Sequence, residues 1–146
     1  MLYAGSAAGL IVGYAAVNRW GAKAAAPALL VIGYLVGSLG NLFTSTSWAI
    51  AAVLAFQAIR GLGLAAQDTA AATMIQRAIP RELLGRTFAN FYGSIGLAAG
   101  LSYLLGGVLL EAAGPRVTFA VAGLGGVVTA IATAIRLHSH RGAPEP

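Results

Sequence analysis

"QAIRGLGLAAQD", residues 57–68, places an arginine, an aspartate and two glutamines inside a long apolar run. At about 100° per residue the four polar side chains of a helix here fall on one stripe about 100° wide. Taking Gln57 as zero, Arg60 lies near −60°, Gln67 near −80° and Asp68 near +20°. The rest of the circumference is Ala, Leu, Ile, Val and Gly. A helix bathed in lipid on all sides would not collect its polar groups in this way, so this face is expected to look onto protein or a water-filled cavity.

Composition sets the solvent. Of 146 residues, 58% are hydrophobic and 9% charged, with a mean hydropathy of +0.80. Soluble domains carry roughly 25% charged residues to face water. The expected class is therefore all-α, a polytopic transmembrane helix bundle in contact with a lipid bilayer. The absence of cysteine excludes a disulfide framework and thiolate metal sites. The formal net charge of +5 comes without a polybasic run interleaved with aromatics, so it argues for no nucleic-acid partner.

Runs long enough to cross the hydrocarbon core give five expected spans, at about 2–17, 25–43, 48–79, 87–110 and 117–137. These form a single bundle over residues 1–137, followed by a polar tail at 138–146. Arg19 and Lys23 lie between the first two spans, Arg77, Arg81 and Arg86 flank the third connection, and Arg136 and Arg141 follow the fifth span. The other two connections hold only Arg116. The positive-inside bias then puts the first and third connections and the C-terminus in the cytoplasm, as in a multi-pass protein of the cell inner (plasma) membrane. The uncharged stretch Met1 to Leu10 lacks the basic start of a signal peptide.

Glycine placement is regular. Gly5, Gly9 and Gly13 recur every four residues, Gly33 and Gly37 repeat that spacing, and Gly93, Gly96, Gly100 and Gly107 share one face. Small residues so spaced let helix backbones approach closely, which is the expectation for all three runs.

Counted from Trp48, Arg60 lies about 18 Å into the membrane and Asp68 about 12 Å further. A charge at such depth costs at least about 2.5–3.5 kcal/mol. Each is either neutralised by a neighbouring helix or lines a solute pathway, with Asp68 then a group for carrying protons. Gln57 and Gln67 fit interhelical hydrogen bonding equally well.

Several stretches carry a resemblance. "YAAVNRWGAK", 14–23, is similar to the cytoplasmic-loop motif of the major facilitator superfamily, with Arg19, Gly21 and Lys23 matching and Asn18 in place of Asp. "TMIQRAIPRELLGRTFANF", 73–91, looks like the Q-R-x-x-P-x-E-x-x-G-R connection of drug and macrolide efflux branches. "SYLLGG", 102–107, resembles the antiporter kink motif with Ser102 and Tyr103 replacing Gly-Pro. The chain as a whole resembles spans 8–12, the C-terminal half of such a transporter. "RGLG", 60–63, also resembles an Arg-containing motif of the fourth span, so spans two to six are the alternative register.

The resemblance implies alternating access about a midplane site, efflux of a small-molecule substrate of amphipathic character, and a fragment that needs the missing N-terminal helices of the same transporter. It implies a cavity bordered by Tyr14, Asn90 and Tyr103 beside the third-span residues. It also implies a cytoplasmic gate of Asn18, Arg19, Gly21, Lys23 and Arg86, and it puts the second and fifth spans at the periphery. The rival expectation is a non-transporting membrane scaffold or assembly protein with a borrowed bundle.

No enzyme is expected and no cofactor. "GLGLAA" lacks the preceding strand and third glycine of a dinucleotide loop. His138 and His140 supply two metal ligands without a third, and Ser102 has no histidine or acid placed to activate it.

Overall fold

A computed structural model describes residues 2–20 and 25–141. They form four helices: α1 (Leu2–Trp20), α2 (Ala26–Thr46), α3 (Ile50–Ala78) and α4 (Leu84–Arg141), with a 3-10 turn at Arg81–Leu83 before α4. Local chemistry sets their ends. Pro27, in the first turn of α2, needs no N–H donor there. Ile79 is extended (φ −113°, ψ 133°), as the residue before Pro80 must be, and α3 stops at Ala78.

The expected five spans are not what forms. Four helices are present, and among the described residues three stretches are long and apolar enough to cross a membrane: Ala26–Thr46, Ile50–Ala78 and Arg81–Leu137. α1 is not among them, since Tyr14, Asn18 and Arg19 dilute its apolar run. The expected loop between 110 and 117 is absent. Helix continues on both sides of Gly114, the one residue inside α4 with non-helical angles (φ 78°, ψ 172°). That conformation is reserved for glycine, and Pro115 after it denies Gly114 the helical region. The two arms of α4, 84–113 and 115–141, meet at this kink.

The packing order is α1, α3, α2, α4: α3 lies between α1 and α2, and α2 also packs on α4. α2, expected at the periphery, is thus flanked on two sides. Glycines make the approaches close. A Cβ added to Gly9 would overlap the backbone of Ala58, and one added to Gly33 would lie 2.8 Å from the Gly63 carbonyl oxygen. On α4 the second arm meets α2 where Gly123 faces Leu42 and Gly126 faces Ser38.

The buried apolar residues are accordingly small, among them Ala65, Ala66, Ala70 and Ala130, and among the described residues no large side chain is fully buried. The expected packing of Gly93, Gly96, Gly100 and Gly107 does not occur. Nothing lies within 4 Å of a Cβ placed on any of them, and the first arm contains no buried residue.

Hydroxyls inside the helices bond back to the preceding turn, as Thr44 to the Gly40 carbonyl at 2.7 Å and Thr69 to that of Ala65 at 2.8 Å, which removes the cost of placing them in an apolar setting. Trp48, two residues before α3, is 86% exposed and carries the Arg116 guanidinium 3.8 Å from its ring centroid.

Candidate functional site

The polar stripe of α3 divides between two neighbours. Gln57 is buried and accepts a hydrogen bond from the Ser6 hydroxyl of α1 at 2.9 Å. Asp68 accepts one from the Tyr14 hydroxyl of α1 at 2.9 Å, through Oδ2. Arg60 and Gln67 instead lie against α2. Arg60 Cβ would sit 2.9 Å from a Cβ on Gly40, and Gln67 packs at Gly33 and Gly37. The split follows from the wheel. Gln57 and Asp68 lie within about 20° of each other, and Arg60 and Gln67 form a second row some 60–80° away. Glycines and a serine opposite the stripe leave room for these longer side chains.

Above this stripe a cavity of about 240 Å³ is lined by Ser6, Asn41, Gln57, Arg60, Tyr103, Thr118, Phe119 and Ala122. Every helix contributes. α1 supplies Ser6, α2 Asn41, α3 Gln57 and Arg60, and the two arms of α4 supply the remainder. A second cavity, of about 460 Å³, is lined by Tyr14, Ala15, Asn18 and Thr69 beside the Tyr14–Asp68 bond.

Of the residues singled out from sequence, Gln57, Arg60 and Tyr103 share the first cavity, while Tyr14 and Asn18 share the second. Gln67 lies in the α2–α3 contact and lines neither. Asn90 is exposed on the first arm of α4, its carbonyl accepting from Ser94 at 2.8 Å. Arg19 and Arg86 are exposed and do not line the Asn18 cavity. Gly21 and Lys23, the remaining gate residues, lie outside the described residues.

Sequence reasoning missed Ser6, Asn41, Thr118 and Phe119. Ser6 sits one residue after the first glycine of the α1 stripe, a position that in retrospect marks the same face. The other three carry no periodic signal.

Among the described residues no group of three or more His, Cys, Asp or Glu side chains is placed to hold a metal. What remains is an intramembrane arginine on a small polar chamber and an aspartate capped by a tyrosine two turns away.

The Major Facilitator Superfamily model matches residues 1–146. The chain belongs to the Major Facilitator Superfamily. No curated protein and no solved structure matches it. Members of the Major Facilitator Superfamily are transporters rather than enzymes, and the apolar helices make this chain a multi-pass membrane protein.

Proposed function

We propose that this chain is a transporting part of a secondary active carrier that exports small amphipathic compounds by alternating access, with Asp68 as a proton-carrying group. In this reading it corresponds to the C-terminal half of a drug- or macrolide-efflux type of antiporter. It sits in the plasma membrane with its C-terminus in the cytoplasm and works against further helices of the same carrier. The observation that carries the reading is the chamber where Arg60 and Gln57 meet residues of α1, α2 and both arms of α4. An intramembrane charge that borders a chamber is placed for a solute. Asp68 supports the proton role through its partner. A carboxylate that accepts from the Tyr14 hydroxyl makes a charge-assisted bond that weakens when the carboxylate takes up a proton, and this links its charge to the α1–α3 contact.

Two experiments test this. The chain lacks cysteine, so Arg60→Cys gives a single reporter. It should react with a water-soluble thiol reagent, whereas Ile59→Cys on the exposed side of α3 should not. Silence at position 60 with reaction at 59 would remove the chamber from the solute path. In everted vesicles carrying the intact carrier, Asp68→Asn should abolish proton-driven solute accumulation and leave solute binding in place, since an amide still accepts from Tyr14. Undiminished accumulation would take Asp68 out of the mechanism.

A further inference from the structure

The polar chamber does not stand alone. A larger cavity of about 770 Å³ lies between the two arms of α4, lined by Leu101, Leu105, Leu109, Leu110 and Val121 among others. Tyr103, Thr118, Phe119 and Ala122 line both spaces. The two are therefore neighbours that share part of their lining, the smaller bordered mostly by residues with polar groups and the larger mostly by apolar ones. The smaller falls below the roughly 300–1,000 Å³ of a pocket for a drug-sized ligand, and the larger lies within that range. A solute that fills both has a compact polar head and a bulky apolar body.

The sign of the head follows from the lining. Among the described residues that line the two cavities, Arg60 is the one charged group. Asp68, two turns along α3, is engaged by Tyr14 and borders neither space. The neutral polar groups around Arg60 add donors. Ser6 and Thr118 give their hydroxyl protons to Gln57 Oε1 and to the Gly114 carbonyl, and the amide N–H groups of Gln57 take no part in that bond. A guanidinium beside the Tyr103 hydroxyl and the amide N–H groups of Asn41 and Gln57 matches a planar carboxylate, which takes two parallel bonds from the guanidinium and has lone pairs for the rest. A cationic head would meet repulsion, and a neutral one would leave the half-buried charge without a counter-ion.

We infer that the substrate class is the amphipathic organic anion, its carboxylate held at Arg60 and its apolar body lodged between the arms of α4. This rests on the reading of the chamber as the solute site.

The test uses three probes of one shape, 4-butylbenzoate, uncharged 4-butylbenzamide and cationic 4-butylbenzylamine. They are offered by equilibrium dialysis to the full chain in phosphatidylcholine nanodiscs, with empty nanodiscs subtracted. The benzoate should bind at least about tenfold more tightly than the benzamide, the scale of one charge-assisted hydrogen bond. Arg60→Gln should erase that preference while benzamide binding persists, which also reports that the variant is folded. Arg60→Lys should keep part of the preference. Leu105→Trp, which fills the apolar cavity, should weaken the benzoate and the benzamide alike. Equal binding of benzoate and benzamide, or a preference for benzoate that survives Arg60→Gln, would overturn the anion assignment and leave the chamber reading intact. Binding of none of the three would overturn both.

Discussion

Replacing Gly9 by alanine tests how closely α1 and α3 are pressed together. The new Cβ would lie 2.6 Å from the carbonyl carbon of Ala58 and 2.8 Å from its Cα. These are backbone atoms that no rotamer change can move. The Ala58 carbonyl oxygen lies closer still, so to restore an ordinary separation of about 3.4 Å the helices must part locally by more than about 1 Å, and a radial gap of about 0.5–1 Å already forfeits a quarter to a half of the dispersion well at each neighbouring contact. Gly5 at Leu54 and Gly13 at Ala65 share that contact, so the loss spreads along the stripe. Overpacking of this kind costs about 1–3 kcal/mol. In lipid, no compensating hydrophobic drive pushes the helices back together.

Gly96→Ala is the matched control, because nothing lies within 4 Å of the added methyl group. Its effect should stay within about 0.5 kcal/mol. Denaturation by sodium dodecyl sulfate, followed by tryptophan emission in mixed micelles, measures both. Equal destabilisation by the two substitutions, or none by Gly9→Ala, would refute the close α1–α3 approach.

Two further outcomes are expected. Gly114→Ala forces a Cβ into a backbone conformation open essentially to glycine alone, at a cost of about 1–3 kcal/mol. The distance between spin labels at positions 104 and 124, one on each arm, should change with it, and an unaltered distance with unaltered stability would contradict the kink. Trp48→Leu removes the ring under Arg116 and should cost about 0.5–1 kcal/mol in the same detergent titration, the range for an exposed cation–π pair. No loss would show that the pair contributes nothing.

Much of α2 and α3 was legible. Their apolar runs place both helices within a few residues of the observed ends, and Pro80 fixes the stop of α3 to within two residues. The break in α4 was located and its nature misread. "EAAGPR" looks like a loop because it holds a charge at each end, a glycine and a proline. Glutamate and alanine favour helix, however, and proline is tolerated in a first turn, so Gly114 alone supplies the break.

Glycine spacing told which faces are able to pack, not whether a partner is present. Gly9 and Gly33 meet a helix and Gly96 does not. At the candidate site, periodicity gathered Gln57, Arg60, Gln67 and Asp68 onto one stripe. Its division between α1 and α2 depends on how three helices are arranged, which no single helix encodes. Asn41 and Thr118 escaped because isolated polar residues are ordinary in membrane helices.

Gly61 and Gly63 lie two residues apart on α3 and so point about 200° apart. A Cβ on Gly61 would press on Leu10 and Gly9 of α1, and one on Gly63 on Gly37 and Gly33 of α2. The central helix is gripped from both sides at the same level. Advancing it by one turn would bring Gln57 or Ala65 to the first grip and Ile59 or Gln67 to the second, and every one of those brings a side chain where none fits. α3 therefore has no gear of its own. Rigid-body movement here carries α1, α2 and α3 as one block, with the give left to the glycine joint of α4.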